Sequence, residues 1–123
     1  MNILSLDTET TTFHKGAWSD PRNSLVCWSF ANHNHAGARR EQYSELAHLL
    51  NGTDLVLGFN FKFDYHWFIK EGVYQLATKQ LWDVQIAEFI LSNQTNRFPS
   101  LNDTCERHGI PLKLDIVKTE YWD

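Results

Sequence analysis

The sequence predicts a single α/β domain over residues 1–123, built on a mixed sheet in which an antiparallel meander joins parallel strands, with helices packed on it. Three observations predict it. Strand-like runs separated by turn residues fill the first third of the chain. A continuous apolar run of strand length, DLVLGF at residues 54–59, hands over directly to a helical pattern. Short strands and helices alternate from there, the order of a mixed sheet covered by helices.

Taken in order, Ile3, Leu4 and Leu6 form a first strand that stops at the polar cluster Asp7-Thr8-Glu9-Thr10-Thr11-Thr12, and Met1, so close before it, is expected to be the true start. Residues 14–23, with Gly16, Asp20-Pro21 and Asn23, read as a loop. Residues 24–31 (SLVCWSFA) are a buried strand, 32–36 a turn, and 37–43 an edge strand with charged residues. Ser44 is a cap-type residue, so 44–50 make a short helix closed by Asn51-Gly52. The run at 54–59 has the pattern of a parallel strand covered on both faces and is expected at the centre of the sheet. Asn60 is expected to cap the next helix, in which Phe61, Tyr65 and Phe68 share one face, Phe63 and Trp67 another, and which Gly72 ends. Residues 80–82 are a short strand and 84–91 a helix. Pro99-Ser100 opens a last helix with Ser100 as cap and Asp103 three positions on, and Gly109-Ile110-Pro111 closes it. The segment after Pro111 shows no element of its own.

A hydrophobic fraction of 42% with five Trp and eight Phe describes a packed globule, not a disordered chain. The formal charge of −4 offers no broad basic surface for phosphates, so a nucleic-acid substrate would require positive charge from elsewhere. Cys27 and Cys105 form neither a CxxC pair nor a disulfide framework, which suits a reducing compartment. With no apolar run of about 20 residues and no charged-then-apolar leader, the expected location is the cytoplasm of a bacterium or phage-infected host.

Two constellations carry chemistry. Asp7 and Glu9 stand two apart at a strand end, and side chains so spaced point to the same face of an extended chain. Two such carboxylates can reach a pair of ions held roughly 3.5–4 Å apart, as a two-metal displacement site requires, and Mg²⁺ or Mn²⁺ prefers such oxygen donors. Alone, a D-x-E is more often a solvated strand end. The second constellation, Asn60-Phe61-Lys62-Phe63-Asp64, lies where the buried strand passes into a helix, which puts Asp64 at the carboxyl edge where open α/β sheets gather ligands. Its ordinary reading is a helix start with an Asp serving the dipole.

Together, Leu6-Asp7-Thr8-Glu9-Thr10 and Asn60-x-x-Phe63-Asp64, in this order and separation, resemble the first and second motifs of the DEDD (DnaQ-like) 3′-to-5′ exonuclease superfamily. They look most like the proofreading exonucleases of DNA polymerase I-type, phage polymerases, and the likeness covers Asn2 to about Asp103. It implies a ribonuclease H-like fold and hydrolysis of phosphodiesters at single-stranded DNA 3′ ends by two divalent ions, Mg²⁺ or Mn²⁺. Residue by residue, it implies that Asp7 bridges both ions, Glu9 binds the ion that activates water, and Asp64 serves the second. Thr10 and Phe13 match positions that hold and wedge the terminal nucleotide, and Asn60 one that contacts its sugar and phosphate.

The sequence departs from this family at the third motif, a fourth Asp preceded by Tyr or His (Y-x-x-x-D or H-x-x-x-x-D), which occurs nowhere in the chain. Tyr121-Trp122-Asp123 has the residue types at the wrong spacing. The domain is therefore expected to lack its C-terminal third-motif helix, with activity weakened unless a polymerase domain or a second chain supplies the missing carboxylate. Asp83 reads as a helix start and Asp103 as a helix-turn residue. The six histidines (His14, His33, His35, His48, His66 and His108) show no zinc pattern, and His66 points away from Asp64. Two other readings stay open: a non-catalytic ribonuclease H-like nucleic-acid-binding or regulatory module, and an RNA-directed exonuclease of the same superfamily.

Overall fold

The computed structural model describes residues 1–92 and 98–111, which fall into two compact units, Met1–Val84 and Gln85–Asp123. The first unit is a five-stranded mixed sheet flanked by helices, with strands β1 (Ile3–Thr10), β2 (Leu25–Ala31), β3 (Ala36–Arg39), β4 (Leu55–Gly58) and β5 (Gln80–Asp83) in the order β3-β2-β1-β4-β5. β2 runs antiparallel to β1 and β3, while β4 runs parallel to β1 and β5. An antiparallel meander extended by parallel strands is the expected ribonuclease H-like arrangement. The centre, however, belongs to β1, with β4 beside it.

β1 also runs further than its apolar residues suggest. It continues through Asp7-Thr8-Glu9-Thr10 because β2 keeps pairing with it, Asp7 opposite Ser29 and Glu9 opposite Cys27. Leu4, Leu6, Thr8 and Thr10 alternate as buried residues with exposed Ser5, Asp7 and Glu9, the period of two that a strand imposes.

The buried face of the sheet meets helices α1 (Tyr43–Asn51) and α2 (Phe61–Lys70). Leu4, Leu6 and Val56 from the strands join Trp28, Leu46, Leu50, Phe61 and Phe68 in one apolar cluster. Burial of such side chains is the main favourable term in folding. As the sequence predicts, α2 uses two faces: Phe61 and Phe68 enter this cluster, and Trp67, also fully buried, donates its indole N–H to the carbonyl of Gly16 at 3.0 Å.

Two expected caps are replaced. α1 begins at Tyr43, so Ser44 lies inside it, and the preceding Gln42 is left-handed with φ 62° and makes no side-chain cap. Asn60 precedes α2 with φ 54° and does not cap it either. The donors at that helix start go to Asp83 at the end of the neighbouring parallel strand, whose two carboxylate oxygens accept from the amides of Asn60 (3.0 Å) and Phe61 (2.8 Å). A carboxylate on a helix N-terminus satisfies orphan donors and complements the dipole. Asp83 thus serves the start of α2 besides preceding α3.

In the second unit, α3 (Val84–Leu91) leads to α4 (Leu101–Arg107), whose start carries the expected reciprocal capping box between Ser100 and Asp103. Glu88, 4% exposed, meets Arg107 at 3.6 Å and the Nε2 of exposed His108 at 2.6 Å, a hydrogen-bond partner. Tyr121, Trp122 and Asp123 lie outside the described residues.

Two substitutions test this frame. A β-carbon at Gly58 would fall 2.1 Å from the Phe61 ring, whereas nothing lies within 4 Å of one at Gly52. Gly58→Ala is therefore expected to cost about 2–3 kcal/mol in urea unfolding, and Gly52→Ala to stay within about 0.5 kcal/mol of the native chain. Asp83→Ala, which strips two amides of their acceptor, should cost about 1–2 kcal/mol in the same assay; no loss would mean that the helix start is satisfied in some other way.

Candidate functional site

β1 outlasts its parallel neighbour. The pairing with β4 ends at Ser5 and Leu57, so further along β1 the side where β4 would lie is open to the helix that follows β4. Asp64, in the first turn of α2, fills it: one carboxylate oxygen accepts the backbone amide of Thr8 at 3.1 Å and the Thr8 hydroxyl as well. Asp64 is only 3% exposed. Two hydrogen bonds to one carboxyl tie the helix start to the strand, each contributing on the order of 1.5–3 kcal/mol when the acceptor is charged.

Asp7 and Glu9 flank Thr8 on the exposed side of β1. Their charges reach Asp64, whose carboxyl is pushed up from 3.8 to about 7, first by burial and then by Asp7 and Glu9, against the lowering effect of the Thr8 bonds. The same two charges act on Cys27, which faces Glu9 across the strand pair and whose thiol is raised, mainly by burial. The structure therefore brings the three sequence-identified acids into one electrostatic neighbourhood from two elements 56 residues apart.

The donor set is all oxygen, which suits a hard divalent cation, and an added positive charge would favour ionisation of Asp64, whose proton is held first by burial and then by the charges of Asp7 and Glu9. The carboxylates are not arranged as a coordination set, however. Among the described residues no three His, Cys, Asp or Glu groups stand in metal-binding geometry, and Asp64 is turned to Thr8.

The remaining sequence candidates separate. Thr10 is buried, its hydroxyl 2.6 Å from where a β-carbon on Gly16 would lie, so the turn after β1 closes over it. Phe13 stands in that turn and is 48% exposed. Asn60 is exposed beside the start of α2. His66 stacks on Trp18 with ring centroids 5.2 Å apart. Asp103 sits in its capping box in the second unit.

Sequence reading missed how the loop at residues 11–24 is built. His14, Lys15 and Gly16 are successively left-handed, with φ of 46°, 59° and 80°, a run costing about 1–2 kcal/mol for each non-glycine residue. Asn23, 6% exposed, offsets this: its amide oxygen accepts from the amide of Phe13 and the hydroxyl of Thr11, both at 2.9 Å, and its amide nitrogen donates to the carbonyls of Phe13 and Ala17. The signal was present in Asp20-Pro21-Arg22-Asn23, since Asx side chains next to proline bond to nearby backbone.

Asp64→Asn keeps an acceptor for Thr8 and removes the charge. Because the folded chain holds the Asp64 proton up to about 7 against 3.8 for the ordinary acid, the native state binds the extra proton between these values, and its stability falls as pH rises through about 7. In a chelator at about pH 8, Asp64→Asn should melt higher than the native chain, with the gap narrowing at about pH 5. A gap that does not change with pH would detach Asp64 from the acidic cluster.

No family model and no curated protein matches this sequence. The fold is similar to that of a solved structure, the family B DNA polymerase from the hyperthermophilic archaeon Pyrobaculum calidifontis, with a TM-score of 0.70 and 11% identity over 98% of this chain and 20% of that one. The chain spans about a fifth of that polymerase's length, and the likeness is one of fold: a mixed five-stranded sheet with helices, shared with part of a DNA polymerase.

Proposed function

We propose that this chain is a 3′-to-5′ exonuclease domain of the DEDD type that hydrolyses the terminal phosphodiester of single-stranded DNA, with Asp7, Glu9 and Asp64 holding Mg²⁺ or Mn²⁺. The observation that carries the reading is the bond of buried Asp64 to Thr8, the residue between Asp7 and Glu9 in β1, at the carboxyl edge of the parallel strands. A buried carboxyl that resists ionisation, first through burial and then beside two other acids, suits a neighbouring cation better than a purely structural role. Divalent ions bound there would polarise the phosphate and make a bound water a nucleophile at neutral pH.

The chain's own residues supply the rest. Thr8 fixes the direction of Asp64 through main-chain and side-chain bonds, and ion binding would require this carboxylate to turn from Thr8 toward the strand-borne pair. In this reading exposed Asn60, ahead of α2, would contact the terminal sugar and phosphate, and Phe13 would stack on an unpaired base. The neighbouring fold belongs to a DNA polymerase, which supports DNA over RNA and a proofreading context. Asp83 and Asp103 accept amides at helix starts, and a polymerase domain or a second chain is the proposed source of the fourth carboxylate of this exonuclease class.

The test is degradation of 5′-labelled single-stranded DNA with Mg²⁺ or Mn²⁺. Stepwise shortening from the 3′ end is expected, reduced on the order of a thousandfold in Asp7→Ala, since each 1.36 kcal/mol of lost transition-state stabilisation is tenfold in rate. Equal behaviour of the two chains would remove the catalytic assignment from these carboxylates.

A further inference from the structure

The exposed ring of Phe13 is not alone. The guanidinium of Arg22 lies over it, 4.4 Å from the centroid. Arg22 is itself held edge-on by Asp20, with Nε at 3.1 Å and Nη2 at 2.8 Å from the two carboxylate oxygens, and its backbone amide bonds the same carboxylate at 2.9 Å. Asp20 keeps its charge, its carboxyl held well below the usual range chiefly by the Arg22 side chain. The Asp20 side chain is 6% exposed and that of Arg22 56%. The acid is therefore the buried anchor and the guanidinium plane the presented surface. Asn23 fixes Phe13 by both its amide and its carbonyl. Trp67, three residues after Asp64, holds Gly16 of the same turn, so the pair is fixed beside the helix that carries the candidate catalytic acid.

We propose that Phe13 and Arg22 form a two-layer stacking platform for an unpaired nucleobase at the 3′ end of a single strand, with Asp20 as the positioning residue that keeps the guanidinium flat. The inference rests on the proposed exonuclease reading and adds to it a residue that no motif supplies. Arginine planes and aromatic rings accept bases of any sequence. A guanidinium whose edge is paired with a carboxylate offers its face more than its charge, and an acidic chain can in this way hold a polyanion's bases without a basic surface.

The platform is tested by fluorescence anisotropy of a 5′-fluorescein-labelled oligothymidylate in Ca²⁺, using the intact chain, Arg22→Ala, Arg22→Lys and Asp20→Asn. Arg22→Ala is expected to weaken binding on the order of tenfold. Arg22→Lys should lose nearly as much, because it keeps the charge without the plane, and Asp20→Asn should fall between it and the native chain. Melting temperatures without DNA should be unchanged in both Arg22 variants. When the 3′-terminal nucleotide is abasic, the intact chain and Arg22→Ala should bind alike. Full rescue by lysine, or an equal loss on the abasic strand, would overturn stacking in favour of a phosphate contact. If the intact chain binds single strands in a way that depends on Ca²⁺ and on Asp7 while the Arg22 variants match it, the platform falls and the exonuclease reading stands. If the intact chain binds no single strand, both fall.

Discussion

β1 extends past the end of its β4 pairing, and the candidate site is arranged around that overhang. A strand edge with no neighbour exposes amides that must find an acceptor. Here the acceptor for Thr8 is a carboxylate delivered by the helix that begins where β4 stops. Because adjacent residues in a strand point to opposite faces, the same geometry that buries Thr8 under α2 leaves Asp7 and Glu9 on the other side. The bond that secures the helix to the sheet therefore also fixes the third acid relative to the first two.

Two aspartates near this edge have opposite fates, and the difference lies in what meets them. Asp83 accepts the amides of a helix start and gives a left-handed Asn60 the anchoring that its own side chain does not provide. Asp64 receives donors from Thr8 too, but it is buried and lies within the field of two other acids, so it holds its proton to about 7. The first is satisfied within the protein. The second is held in its protonated form up to about 7, first by its burial.

The loop after β1 shows how an irregular segment becomes a rigid one. Three consecutive left-handed residues are strained, and they persist because Asn23 satisfies four neighbouring groups and Trp67 pins Gly16 from the helix. The result is an aromatic ring and a guanidinium held at fixed positions, both substantially exposed. Strain of this kind is commonly retained at functional sites, where exact placement outweighs its energetic cost.

The sequence by itself determined the succession of elements and the identity of the acids. The apolar run Ile3, Leu4 and Leu6 marks the start of β1, the DLVLGF run marks β4, the two apolar faces of α2 can be read from Phe61, Phe68 and Trp67, and the Ser100–Asp103 box appears as written, because each of these signals is local. Tertiary structure alone decided that Asn60 leaves its capping role to Asp83, that β1 and not β4 is central, that Thr8 holds Asp64, and that Arg22 lies on Phe13. These depend on which strands become neighbours and where one stops short of another. Such contacts join residues far apart in the chain, and neither periodicity nor propensity encodes them.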